Sequence, residues 1–263
     1  MKIEVSILAS GSSGNAVYIS GGNTKILIDA GLSGREIERR LAKIGVYADE
    51  LDAILMTHEH LDHIKGVGVL SRRYDLPVYA NEPTWQGAED KLGFIEDKNC
   101  CFFKEDFMIG DLGISPFPIP HDANAPVGFV ISCGRKRIGQ ATDMGHVSKE
   151  VEERLKGLDF LIIESNHDLE MLMNGTYPWH LKNRIHGEQG HLSNDDTADL
   201  LPRIIGDNFP RILLAHLSQD NNLPALAYIT VKNSLEDHGF NIGKDLLLDI
   251  AHRDRPTELF KVG

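Results

Sequence analysis

Only three cysteines occur in the 263 residues: the adjacent pair Cys100-Cys101 and Cys133, with no C-x-x-C spacing. An odd count and an adjacent pair argue against a disulfide framework and predict a reducing compartment. Long apolar runs are missing as well. The N-terminus, Met1-Lys2-Ile3-Glu4-Val5-Ser6-Ile7-Leu8, alternates like a half-buried strand, unlike the apolar core of a secretory signal. No segment is long enough to span a bilayer. These absences predict a cytoplasmic protein with no membrane partner. No repeat, low-complexity tract or Pro/Ser-rich linker interrupts the chain, so residues 1–263 are expected to form a single domain. Positive charge is scarce: 27 Lys and Arg face 39 Asp and Glu, a formal net charge of -12. A protein that grips nucleic acid usually shows a basic face to the phosphates. Any such face must be local here. The clusters available are Arg35, Arg39, Arg40 and Lys43; Arg72 and Arg73; Arg135, Lys136 and Arg137; and Lys182 with Arg184. Each also reads as an ordinary solvated helix face or turn.

Histidine, by contrast, is plentiful, at 12 residues, and unevenly spread. Thr57-His58-Glu59-His60-Leu61-Asp62-His63 follows the apolar stretch 51–56, which reads as a short buried strand. The run therefore lies in the loop at that strand's carboxyl end, where layered α/β folds build their sites. Imidazoles and a carboxylate suit zinc, and equally manganese or iron. His58 and His60 alternate with Glu59, so both can face one centre, leaving Asp62 and His63 for a second.

Strands are expected at 3–8, 16–20 and 24–29, with turns at Gly11-Ser12-Ser13-Gly14-Asn15 and Gly21-Gly22-Asn23. Helical spacing of Ile37, Leu41 and Ile44 predicts a helix over 34–44, and another is expected from His63 to about Tyr74. Short strands follow at 77–80, 101–103, 107–109 and 112–117. A hairpin turns at Cys133-Gly134-Arg135 between 127–132 and 136–141. A helix near 148–156 precedes the apolar strand 160–163. Ser193 with Asp196 caps a helix starting at Asn194, 211–215 is a strand, and Pro224 opens a final long helix. Strands and helices interleaved in both halves predict two sheets packed face to face under helices.

Other strand ends carry residues of the same chemistry. Asp29 closes 25–28, His121 follows 112–117, Asp143 follows 136–141, and His216 follows 211–215. With the histidine run, five strand ends deliver a histidine or carboxylate. One such placement would be incidental; five in series point to a shared centre.

In these five motifs the sequence resembles the metallo-β-lactamase superfamily across nearly its whole length. The resemblance implies an αββα sandwich of two mixed β-sheets flanked by helices. By position, it implies that His58, His60 and His121 hold one metal, that Asp62, His63 and His216 hold a second, and that Asp143 bridges them. Asp29 would orient the ligands through hydrogen bonds. Further stretches resemble the YycJ/WalJ (VicX-like) family, related to tRNase Z but without its long exosite arm. They are Ala9-Ser10-Gly11-Ser12-Ser13-Gly14-Asn15, Glu164-Ser165-Asn166-His167-Asp168, Gly190-His191-Leu192-Ser193-Asn194 and Leu214-Ala215-His216-Leu217-Ser218.

That family implies phosphodiester hydrolysis, with DNA as substrate and a 5′→3′ exonuclease activity. Two divalent metals, manganese or zinc with iron also fitting, would hold the attacking hydroxide. Asp62 is expected to accept its proton, and His191 to act on the leaving oxygen with Glu164 as orienting partner. A helix-start histidine bonded to backbone is the plainer role for His191. Expected substrate contacts are Ser12, Ser13, Asn15, His167, Arg184 and Asn194. The glycine-serine loop reads equally as a hairpin turn, and His167 as a polar loop residue. Tyr177-Pro178-Trp179-His180-Leu181-Lys182-Asn183-Arg184 mixes aromatics and cations as a base-stacking surface would, with core packing by Trp179 and Leu181 the equal alternative. Rival activities are hydrolysis of a thioester, lactone or cyclic phosphodiester on the same fold, or metal binding without catalysis. A homodimer is left open.

Overall fold

Alternation at the start of the chain builds the first layer. In β1 (Ile3–Ala9), Ile3, Val5 and Ile7 enter one apolar cluster and Leu8 enters another on the opposite face. Burial on both faces is the mark of a sheet covered on both sides. β2 (Ala16–Gly21) and β3 (Thr24–Ile28) pair antiparallel in succession, and β4 (Ala53–Leu55), β5 (Val78–Ala80) and β6 (Cys100–Phe102) add in parallel. The helices between them are α1 (Gly34–Lys43), α2 (Leu61–Ile64), α3 (Val67–Tyr74) and α4 (Glu82–Leu92).

The second sheet opens with the antiparallel strands β7 (Phe107–Ile109), β8 (Leu112–Pro118), β9 (Val127–Cys133) and β10 (Lys136–Ala141). Gly134, at φ 61°, forms the β9–β10 hairpin turn with Arg135, since Lys136 already pairs with Cys133. Helices α5 (Lys149–Leu155), α6 (Leu169–Asn174), α7 (Trp179–His186), α8 (Asn194–Ile204) and α9 (Pro224–Asp237) alternate with β11 (Phe160–Glu164), β12 (Arg211–Ala215) and β13 (Leu247–Ile250). The last strand, β14 (Phe260–Val262), crosses back to pair with β1. The sheets run β14-β1-β2-β3-β4-β5-β6 and β13-β12-β11-β10-β9-β8-β7, seven mixed strands each.

The computed structural model describes residues 2–208 and 210–262. Ile3, Ile19, Ile28, Phe129, Ile138 and Ile162 meet between the sheets, and two further apolar clusters seal the outer faces under the helices. The layers are those expected, an αββα sandwich. Boundaries differ in informative ways. The helix expected from His63 begins at Leu61 and breaks at Gly66, where a Cβ would stand 2.5 Å from the Leu32 carbonyl oxygen. The strand expected over 51–56 is only Ala53–Leu55, so the histidine run starts two residues after its end. Ser193 and Asp196 form the expected capping box.

Much of the positive charge is occupied. Arg40 is buried, donating to the carbonyls of Leu8 and Arg253 and to Glu36. Arg72 caps the carbonyls of Leu92 and Phe94, Lys136 pairs with Asp159, and buried Lys182 donates to the carbonyls of Met173 and Gly175. Arg39, with help from Arg40, holds the Glu36 carboxyl down at about 2 against the opposing effect of burial. That stabilisation is complete above pH 4.5 and is lost as pH falls from 4.5 towards 2. Glu36→Gln is expected to cost about 1 kcal/mol near pH 7, about 2–4 °C in Tm. The two melting curves should converge at pH 2, as calorimetry across that range would check.

Candidate metal centre

The carboxyl ends of β3, β4, β8, β10, β11 and β12 reach one edge of the sandwich, and the loops leaving them carry the expected residues. Among the described residues, four non-glycine residues have positive φ: Asp29 (60°), Asp75 (55°), Asp143 (63°) and His216 (54°). Three of these are strand-end residues of this centre. Such a backbone is disfavoured for a residue with a Cβ, and packing must impose it.

His58, His60 and His121 form one group, with donor atoms within 4.8 Å of one another. Their rings stand edge to face, with centroids 4.6–5.1 Å apart. Asp62, His63 and His216 form a second group within the same limit. Asp143 lies between them: its Oδ2 is 3.4 Å from His63 Nε2, and its Oδ1 is 3.5 Å from His216 Nε2 and 3.9 Å from His121 Nε2. His58 Nε2, His216 Nε2 and Asp143 Oδ2 are buried with no hydrogen-bond partner. Converging imidazole and carboxylate donors left without partners are what a divalent cation would satisfy.

The other edge of four of these rings, those of His58, His63, His121 and His216, is held. Thr57 donates its hydroxyl to Asp29 Oδ2 (2.8 Å) and its amide to Asp29 Oδ1 (2.9 Å), and its oxygen accepts from His58 Nδ1 (3.0 Å). His63 Nδ1 donates to Asp29 Oδ2 at 2.7 Å. Burial pushes the Asp29 carboxyl up, opposed by His63 and Thr57; three donors on two oxygens make it an acceptor. His121 Nδ1 donates to the Gly190 carbonyl (3.1 Å). Glu164 Oε1 accepts from both His191 Nδ1 (2.7 Å) and His216 Nδ1 (2.8 Å), while Oε2 accepts from the Met144 amide (2.8 Å). Each of these contacts turns Nε2 of its histidine away from the anchoring group.

The electrostatics follow. Burial, then the His63 cation, drives His58 well below its ordinary pKa, leaving a neutral imidazole. Burial works most strongly against charging His63 and His216, and only Asp143 together with a second carboxylate overcomes it at each. Asp29 helps at His63 and Glu164 at His216, so they rise to about 10 and about 9. A cation entering between these groups would displace those protons. Burial pushes Glu164 up, but His191 and His216 outweigh it and hold the carboxyl at about 2.

The β-lactamase superfamily domain matches residues 24–216, and an exodeoxyribonuclease YycJ of Bacillus anthracis is 41% identical over 261 residues, covering 98% of this chain and 99% of the relative. The chain belongs to the YycJ/WalJ family of the metallo-β-lactamase superfamily. It is a hydrolase of the metallo-β-lactamase fold. Solved folds agree: YhfI from Bacillus subtilis superposes with a TM-score of 0.74 at 15% identity, covering 99% of this chain and 100% of that one. The short form of human tRNase Z gives 0.60 at 18% identity, covering 82% and 93%. The superfamily implies divalent metal ions, and the donor set described above fits them.

Within this YycJ/WalJ chain the expected substrate contacts divide. Ser12, Ser13 and Arg184 are exposed, and Arg184 Nε donates to Asp122 Oδ2 (2.6 Å) beside His121. Asn194 is fully buried, bonded to Ser165 and Asn222, so it holds the loops instead of meeting substrate. His167 is fully buried too, edge-on to His186, with both ring nitrogens unpartnered. Asn15 is a buttress: its Oδ1 accepts from the Gly11 amide while its Nδ2 lies 3.4 Å from Asp62 Oδ2 and 3.0 Å from His63 Nε2. The glycine-serine loop thus braces the histidine run, and no Cβ fits at Gly31, 1.6 Å from the Asp62 carbonyl oxygen.

Thr57 is the residue that sequence reading passed over. Its only signal is a hydroxyl directly before the first histidine. Thr57→Val removes one oxygen shared by Asp29 and His58, and is expected to weaken metal retention about 10–100-fold. Competition against a chromophoric chelator checks this; affinity within twofold of wild type removes the role.

Proposed function

We propose that the chain is a metal-dependent phosphodiesterase that shortens DNA from an end, in the 5′→3′ direction, using two divalent cations. Two donor triads, each with two buried members and both within reach of the Asp143 carboxylate, are the observation that carries this reading. His58, His60 and His121 would hold one cation, Asp62, His63 and His216 the other, with Asp143 between. Manganese, zinc and iron all suit these donors. Bound there, the pair supplies a water that ionises near neutral pH and neutralises charge on the phosphoryl group.

The chain's own groups do the rest. Asp62 keeps 27% of its side chain exposed beside His63 and accepts the water's proton. His191, oriented by Glu164 and partly exposed at the rim, gives a proton to the leaving oxygen. Arg184, with Ser12 and Ser13, meets flanking phosphates. Free Cys100, Cys101 and Cys133 suit a reducing cytoplasm. Among the described residues no helix is long and apolar enough to cross a membrane. The cluster shared by both sheets supports residues 1–263 working as one domain.

The test is digestion of DNA labelled at either end, with and without chelator, beside a thioester panel. Expected is chelator-sensitive loss of the 5′ label first. Thioester turnover with no phosphodiester cleavage would overturn the proposal.

A further inference from the structure

A groove of about 870 Å³ lies between α4, residues 93–97 and β6, and it holds none of the donor residues. Gly87 and Lys91 turn one side of α4 to Glu59 of the histidine run; Glu82, Glu89 and Asp90 line the groove on another. Its aromatic wall is open: Phe94 is 75% and Phe102 60% exposed, and the Phe102 ring stands 5.8 Å from that of buried Trp85. Scattered apolar side chains are ordinary on a surface, but two large ones sharing a groove mark a contact site. Among the described residues β6 is the last strand of its sheet, so no strand pairs with its outer edge. Cys100 and Phe102 line the groove, and Cys101 between them turns to Tyr79, as strand alternation requires.

The rim is acidic. Exposed Glu82, Glu89, Asp90 and Asp97 surround the aromatic wall. Neighbouring cations are engaged elsewhere: Lys91 Nζ donates to the Glu59 carbonyl (3.0 Å), Lys98 Nζ to Asp75 Oδ2 (2.7 Å), and Arg72 to the Leu92 and Phe94 carbonyls. The carboxylates therefore leave a negative field over the apolar wall. That field repels phosphates, which sets the groove apart from any nucleic-acid path and from anionic lipid. A second copy fits no better: a two-fold contact repeats one patch on both sides and would press these carboxylates together.

We infer that the groove docks an extended segment of a partner protein whose lysines or arginines flank apolar side chains. The segment pairs along the β6 edge, its apolar side chains cover Phe94 and Phe102, and its cations meet the rim carboxylates. Backbone pairing supplies affinity, and the alternation of side chains supplies the choice of sequence. No groove residue is a donor of the metal centre, so docking does not depend on which bond the centre hydrolyses.

The experiment measures fluorescence anisotropy of a labelled peptide, Lys-Thr-Leu-Thr-Leu-Thr-Lys, whose alternate side chains set lysines around two leucines. Expected is saturable binding to the full chain that weakens at least about tenfold when both lysines become glutamate, or both leucines serine. Methylation of its internal amides should weaken it by about as much, by blocking pairing along β6. Phe102→Ser, and Glu89→Lys combined with Asp90→Lys, should each cost about tenfold. Tyr47→Ser, at an exposed aromatic outside the groove, should leave affinity unchanged. All these positions are exposed, so melting temperatures should stay at the wild-type value, which separates lost docking from lost fold. Equal affinity of wild type and Phe102→Ser, or for the lysine and glutamate peptides, overturns the groove. Absence of saturable binding by the lysine peptide overturns the partner chemistry, and unchanged binding of the methylated peptide overturns the strand pairing. A wild-type dimer in sedimentation that Phe102→Ser dissociates overturns the proposal in favour of a second copy.

Discussion

Asp143→Ala is expected to abolish hydrolysis of DNA and bis(p-nitrophenyl) phosphate, a loss of at least about a thousandfold, and to leave protein that no longer retains two metals. The Asp143 side chain approaches both donor groups. Its carboxylate lies within 3.9 Å of His63, His216, His121 and His191. Burial pushes this carboxyl up, but His216, His63 and His58 outweigh it and hold it well below the usual carboxylate range. Without that negative charge the imidazoles face one another with less to offset their repulsion or that of two cations. Alanine also sits poorly at φ 63°, so a loss with alanine alone mixes backbone strain with electrostatics. Asp143→Asn separates the two, since asparagine tolerates the left-handed backbone and keeps the shape. Both variants should lose metal, measured by elemental analysis after dialysis, while in chelator the asparagine variant should melt closer to wild type than the alanine variant, which adds backbone strain. Two metals per chain with more than a tenth of wild-type activity in Asp143→Asn would remove the bridging role.

The candidate donors outside the histidine run are legible in sequence because each is a polar residue just past the end of an apolar strand. Asp29 after 25–28 and His216 after 211–215 are clear cases. What holds the donors was not legible. Thr57, Asn15 and the Gly190 carbonyl act across sequence separations of 28 to 69 residues, and no local pattern marks such partners. Asn194 reads as a helix-start residue open to substrate. Only tertiary packing reveals that Ser165 and Asn222 enclose it. Helix α4 is not among the expected elements, and Pro83 and Gly87 are residues that usually interrupt a helix. Pro83 instead occupies the first turn behind the Asn81 cap, and Gly87 gives Glu59 room, as a Cβ there would stand 2.7 Å from Glu59 Cγ. Strands β13 and β14, four and three residues long, are not among the expected elements.

His191→Ala is the second large effect and the sharper test of chemistry. The ring belongs to neither donor triad, its Nδ1 is committed to Glu164, and 18% of the side chain faces solvent. The variant should therefore retain both metals. Turnover of DNA should fall about 10²–10⁴-fold, the range for loss of a positioned acid. The loss should depend on the leaving group. A deoxyribose oxygen leaves as a strongly basic alkoxide unless protonated, whereas p-nitrophenolate carries its own charge well. Bis(p-nitrophenyl) phosphate turnover should thus fall much less than DNA turnover. Glu164→Gln gives the complementary result: it frees both His191 and His216, so rate and metal affinity should decline together. Equal losses on the two substrates in His191→Ala would make His191 a structural or charge-stabilising residue. Loss of one metal would make it a ligand of the Asp143, Glu164, His191 and His216 group, whose donor atoms also lie within 4.8 Å of one another.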